Sequence, residues 1–284
     1  MLEKIWKDGV ALSVDVRLWG GDAALDPEDV GLSSVDVPQD LFQMGRKRLV
    51  PKLSMSNLVA YRMKTRNVLF RYSFPMPFGD TWFVPWTNVK EVVDWLKETQ
   101  SQFYKDTDKF LSEYDTLRES FLAEHEQYRK VLEPFYPSQK RLSNKFYFKY
   151  SLFELSVPRT GVLSAEDAQR VDQETDNFLK QVTTQLRQQA GDAASKLAAT
   201  LEKDSATKAS LKSAQNMVER FKSLNFVKDT KMENALNLLN AALSVGLDNP
   251  ELVEAAKGVV VEARVNGNTV NEIVGSYKRA LDLS

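Results

Sequence analysis

The sequence contains no cysteine and one histidine, His125. The first absence excludes disulfides, thiolate zinc sites and cysteine nucleophiles, and it suits a reducing cytosol. The second leaves a transition metal with carboxylates almost alone as ligands. A stretch of 18 consecutive apolar residues is also missing, so no membrane-spanning helix is expected. The opening "MLEKIWKDGVALSVDVRLWGG" is interrupted by Asp15 and Arg17 and does not read as a signal peptide. Cytoplasmic location is the expectation. An excess of charge of one sign is lacking too: 38 basic against 39 acidic residues give a formal net charge of −1. No global field therefore draws the chain to nucleic acid or an anionic membrane, and any electrostatic handle is local. The phosphate-loop pattern G-x-x-x-x-G-K-[ST], the dinucleotide pattern G-x-G-x-x-G and the nucleophile elbow G-x-S-x-G are all absent. Neither an enzyme nor a cofactor is expected. Acid pairs such as Asp106 with Asp108 sit two apart on a helical stretch, and so do not share a face.

What is present is a core-forming chain, 43% hydrophobic. Val10, Leu12, Val14, Val16 and Leu18 alternate with Ser13, Asp15 and Arg17, which predicts a half-buried strand over 9–19. A Gly-, Asp- and Pro-rich loop follows, then helical spacing from Lys52 to about Phe70. An aromatic loop from Phe74 to Trp86 comes next. Val92, Leu96, Phe103, Phe110, Tyr114, Leu117, Phe121, Tyr128 and Leu132 predict one helix over 88–133, on the order of 65 Å long. A helix that long ordinarily pairs along its seam. The aromatic stretch 145–157 reads as a strand pairing with 9–19. A second long helix starts at Ser164, its cap, with Asp167 at the capping-box position and breaks foreseen at Gly191 and "KDSAT". Its interspersed charges read as a solvated face. Three short helices follow, the second near Pro250 and the third near Thr269. The expected fold is mainly α. Two long coiled-coil helices (88–226) join a small β-containing head (1–87, with the strand 145–157 returning to it) to a C-terminal helical bundle (228–284).

Charge is uneven along this frame. Between Leu41 and Gly79 stand eight basic residues and no acid, and Pro134 to Phe153 holds four more with none. The first stretch, with the aromatic loop beside it, nominates Arg46, Lys47, Arg48, Lys52, Arg62, Arg66, Trp82 and Trp86 as partner-binding residues. The second offers Lys140, Arg141, Lys145 and Lys149 interleaved with aromatics such as Tyr147. Basic charge neutralises phosphates and aromatic faces stack bases, so a nucleic-acid interface is the alternative. These cations can equally meet acids of the chain itself, since 88–133 carries eleven acids to seven bases. His125 falls on the seam of the long helix with no orienting partner in view, and reads as a seam residue rather than a base or ligand.

Several segments also resemble one family. "VALSVDVRLWGGDAALDPEDVGL", "VPQDLFQMGRKRLVPKLSMSNLVAYRMKTRNVLFRYSFPMPFGDTWFVP" and "FLSEYDTLRESFLAEH" are similar to domain of unknown function 3150, found in phage, prophage and bacterial proteins. The matching motifs are Trp19–Gly21, Asp26–Asp29, Gly45–Pro51, Val84–Pro85 and Phe110–Asp115, and the resemblance covers roughly 9–160 best. Members are often encoded beside a MoxR- or CobS-like AAA+ ATPase and a CobT-like protein with a von Willebrand factor A domain. The resemblance therefore implies a non-enzymatic adaptor or subunit working with such an ATPase, in a bacterial cell or infected host. Homo-oligomers through the coiled coil, and a phage-encoded inhibitor of a host protein, remain open beside it.

Overall fold

A computed structural model describes residues 6–31, 45–77, 79–154, 164–264 and 267–282. The chain is mainly helical, with a small antiparallel sheet formed largely by its N-terminal region. It divides into two compact units, one built from the chain up to Ser13, Leu69–Val92 and everything from Leu152 onward, the other from Val14–Val68 and Val93–Ser151. Strand β1 (Gly9–Arg17) contributes to both. Residues expected as the second half of an arm and as a separate C-terminal bundle thus share one unit.

In the first unit, β1 pairs antiparallel with β5 (Thr81–Pro85), from Gly9 opposite Pro85 to Ser13 opposite Thr81, and β4 (Phe74–Pro75) pairs with β5. The burial of β1 does not alternate as expected: Val10, Ala11 and Leu12 are all buried, because both faces are covered. The core belongs to α5 (Ala165–Glu202), α6 (Lys208–Leu224), α7 (Thr230–Val245), α8 (Glu251–Glu262) and α9 (Gly267–Asp282). The apolar stripe of α5, through Phe178, Val182, Leu186, Ala190, Ala194 and Leu197, packs on α6, α8 and α9. Ser164 caps α5 by accepting from the Asp167 N–H at 3.1 Å. The "KDSAT" break is real and separates α5 from α6, but α5 runs straight through Gly191. Gly191 is there for space rather than flexibility: a Cβ on it would lie 2.6 Å from the Cβ of Ala263 just past α8.

Two charged side chains, Arg187 and Asp229, are buried together in this core. Arg187 of α5 is 1% exposed, and its guanidinium donates to both oxygens of Asp229 at 2.6 and 2.9 Å. It also donates to the Glu262 carboxylate at 3.0 Å and to the backbone carbonyl of the same residue. Asp229 caps α7, accepting from the Met232 N–H, and Glu262 ends α8.

In the second unit, α1 (Ser56–Tyr72) and α2 (Trp86–Glu124) supply the long elements, each contributing its part up to Val68 and from Val93. A ribbon of β2 (Asp22–Ala24) with β3 (Arg46–Arg48) lies in the same unit. Short helices α3 (Arg129–Leu132) and α4 (Gln139–Ser143) lead to β6 (Tyr147–Phe153), the neighbour of β1 in a sheet ordered β4-β5-β1-β6. The stripe of α2 buries Leu96, Phe103, Phe110 and Tyr114 as its spacing implies. Its partners are not those of a coiled coil: Phe103 meets Tyr61 and Phe148, and Phe110 meets Trp19 and Phe146. The helix also ends at Glu124, nine residues before the expected Glu133. His125 leaves helical geometry, with its ring 4.6 Å from that of Phe121, and the apolar period carries on across the break. Tyr128, placed on the seam by that period, is exposed.

Replacing Gly191 by Ala is expected to destabilise the protein by about 1–3 kcal/mol through overpacking against Ala263, despite alanine's better helix propensity. Gly258→Ala in α8, where a Cβ meets nothing within 4 Å, is expected to stabilise by about 0.5–1 kcal/mol. Urea unfolding of the two variants compares them directly. Arg187→Met strands a buried carboxylate and is expected to cost about 3–5 kcal/mol. The double variant Arg187→Met, Asp229→Leu should be more stable than that single one, since it leaves no unpaired charge at Asp229.

Candidate functional site

The run Arg46-Lys47-Arg48 forms β3, and a strand sends successive side chains to opposite sides. Arg46 and Arg48 point outward and are exposed, whereas Lys47 points inward and is 7% exposed. Its ammonium bonds to the Asp29 carboxylate and lies 3.2 Å from the centroid of the Phe135 ring. Burial removes Lys47 from the partner-facing set. The hydrogen bond from Lys47 holds the Asp29 carboxyl below its ordinary range, helped by the Asp26 N–H and opposed by desolvation.

The outward residues converge. A groove of about 450 Å³ in the second unit is lined by Arg17, Leu18, Trp19, Gly20, Asp22, Arg46, Arg62, Asn144, Lys145 and Tyr147. It joins Arg46 and Arg62 of the first acid-free stretch to Lys145 of the second, 83 residues beyond Arg62. Arg46 reaches Asp22 at 2.8 Å, and the Arg62 Nε donates to the Val16 carbonyl at 3.1 Å. Arg17 pairs with Asp15 at 3.3 Å, and the Tyr147 hydroxyl donates to the same carboxylate at 2.8 Å. Lys145 is exposed and enters no ion pair among the described residues. Arg17 and Asp22 escaped the sequence reading. Arg17 sits on the polar face of β1, and the pairing of that strand with 145–157 was expected, so the signal for Arg17 was present but not carried to the site.

The remaining candidates lie elsewhere. Arg48, Lys52 and Arg66 are exposed outside the groove, as are Lys140 and Arg141 on α4. Lys149 is exposed on β6, 5.0 Å from the centre of the Tyr147 ring, and Arg17 lies 5.2 Å from the same ring. Trp82 is half-buried with its ring edge-on to Phe70, and Trp86 is 47% exposed at the start of α2. Both belong to the first unit rather than to the groove. Phe146 and Phe148, which interleave with Lys145 and Lys149, are buried. The aromatic faces that would have stacked bases are therefore mostly core, or already in contact with cations.

A larger cleft in the first unit, about 640 Å³, runs between α5 and α6. Small residues such as Ala190, Ala193, Ser210 and Ala214 open it. The one guanidinium on its wall, Arg220, donates to the carbonyls of Phe70 and Arg71. Among the described residues no group of three or more His, Asp or Glu is placed to hold a metal, and no helix is long and apolar enough to cross a membrane.

The family model described as protein of unknown function (DUF3150) matches residues 7–263. The chain belongs to this family. The match extends well beyond the N-terminal segments that carry the resemblance and takes in α5 to α8. No curated protein and no solved structure matches the chain. Several of the motif positions that connect the DUF3150 chain to its family meet one another in space. Trp19 packs 5.7 Å from Tyr114 and 6.2 Å from Phe110, and Asp29 bonds to Lys47. All of those motifs except Val84–Pro85 lie in the second unit, and the groove cations Arg62 and Lys145 stand outside them.

The Asp29–Lys47 pair gives a pH signature. A carboxyl whose folded pKa is depressed stabilises the fold fully above its unfolded value, near 4, and loses that contribution as pH falls through the folded value. Asp29→Asn is expected to lower the melting temperature at pH 7 and to flatten its decline below about pH 4. Thermal melts of both proteins across pH 2 to 7 check this.

Proposed function

We propose that this DUF3150 protein is a non-enzymatic interaction subunit that docks an acidic partner protein through the basic face of its second unit. The observation that carries the reading is the gathering of Arg46, Arg62 and Lys145 with Arg17 on one groove. Arg46, Arg62 and Lys145 come from stretches without acids, in a chain whose net charge is −1. Local charge of this kind steers encounter and selects a partner of opposite sign. Its small size and the burial of Phe146 and Phe148 favour acidic side chains over a stacked single strand as its occupant. The family resemblance supplies the partner class, a MoxR- or CobS-like AAA+ ATPase, for which the chain would act as an adaptor. Nucleic-acid binding through the same cations, with Lys140, Arg141 and Lys149 extending the track, is the second reading, favoured by the acid-free stretch from Pro134 to Phe153.

The test is affinity capture from the native cell with and without nuclease, comparing wild type with combined Arg46→Ala, Arg62→Ala, Lys145→Ala. An ATPase retained after nuclease and lost in the variant is the expected result. Losing three cations of one face together is expected to abolish capture. Recovery of nucleic acid, with every protein partner disappearing after nuclease, reverses the ranking.

A further inference from the structure

Helix α1 is apolar on two sides. Leu58, Tyr61 and Thr65 are buried inward. Val59 and Met63, one turn apart on the side turned away, are 49% and 59% exposed, and Leu53 in the 3-10 turn just before the helix is 82% exposed. One exposed apolar side chain is ordinary; three along one line form a patch that marks an interaction surface. Ser56, Val59, Met63 and Asn67 follow one another at intervals of three and four, the spacing of a seam along which another helix packs. By the helical period Arg62 flanks the line on one side and Lys64 on the other, and Lys52 stands beside Leu53 in the 3-10 turn, all exposed. No acid occurs anywhere from Leu41 to Gly79.

We propose that this side of α1 is the docking site for an acidic amphipathic helix of the partner. Its apolar stripe would lie on Leu53, Val59 and Met63, and its Asp and Glu residues against Lys52, Arg62 and Lys64. The inference rests on the docking reading above and names the chemistry of what docks. Charge complementarity selects the occupant. A second copy of this chain laid on the same face would set cation against cation. A nucleic acid has no use for the apolar line. A bilayer takes up a broad apolar face, whereas this one is a single row bordered by Ser56, Asn57 and Asn67. Arg62 belongs both to the flank of the line and to the wall of the basic groove, so the two surfaces adjoin.

The probe is a fluorescein-labelled synthetic helix of about 20 residues with Leu at the seam positions and Glu around them, titrated with the full chain and followed by anisotropy. A copy with Lys in place of Glu is the charge control. Vesicles of phosphatidylcholine and phosphatidylserine, and a single-stranded oligonucleotide, are run alongside. The Glu peptide is expected to bind and the Lys peptide not. Val59→Ser with Met63→Ser should weaken binding about tenfold, while Arg46→Ala with Lys145→Ala changes it less than about threefold. Circular dichroism confirms that the exposed substitutions leave the fold intact. Equal binding of the two peptides, or binding lost only in the groove variant, overturns the α1 site while leaving the docking reading in place. Uptake of vesicles or oligonucleotide with no binding of the Glu peptide overturns both.

Discussion

The Arg187 guanidinium holds three elements of the first unit in register. Its planar fork takes both oxygens of Asp229 and still reaches the carboxylate and carbonyl of Glu262, a geometry that an ammonium does not reproduce. Asp229 in turn caps α7 and receives the side chain of Arg187, so one residue fixes both the start of a helix and its distance from α5. Its own N–H is held by Asn225, which ties in the tight loop after α6 where Lys228 adopts φ +58°. A buried charge is costly to desolvate, and the cost is offset only because every partner is in place. The arrangement therefore specifies one packing of these helices and penalises any other, since a shifted register would leave charge buried without a partner.

The second unit contains a smaller version of the same device. Lys47 turns inward to Asp29 and the face of Phe135, beneath a ribbon whose neighbours Arg46 and Arg48 turn out. In both units one cation is used inside, and the functional question concerns those left outside. A basic run in sequence mixes the two kinds. Only the alternation of a three-residue strand separates them, and three residues are too few for a period to be read.

This explains what the sequence made legible and what it did not. Helix spacing, the Ser164 cap, the "KDSAT" break and the three C-terminal helices all depend on residues within a few positions of one another, and they were readable. The partners of the apolar stripes were not. The α2 seam reads as a coiled-coil surface because Phe103 and Phe110 keep helical spacing, yet their partners Tyr61, Phe148, Trp19 and Phe146 lie 36 to 91 residues away along the chain. Arg187 reads as one more charge on a solvated face, because its carboxylates stand 42 and 75 residues further on. Gly191 reads as a kink because the Ala263 methyl that requires it lies 72 residues further on, just past α8. Half of the groove was visible as two basic stretches; their convergence was a property of topology.

The same distinction bears on how this family is to be understood. Trp19, Phe110, Tyr114, Asp29 and Lys47, which lie in the segments on which the resemblance rests, are buried or engaged with one another, so that resemblance is one of scaffold. Specificity has to come from side chains that the scaffold presents without using. On the second unit the exposed candidates are Lys145, Lys52, Lys64 and Arg62, the last also donating to the Val16 carbonyl, with Leu53, Val59 and Met63 between some of them. A cationic rim around an exposed apolar row costs solubility and offers the fold no contact in return. Such a surface is physically reasonable when something of opposite sign and matching shape covers it.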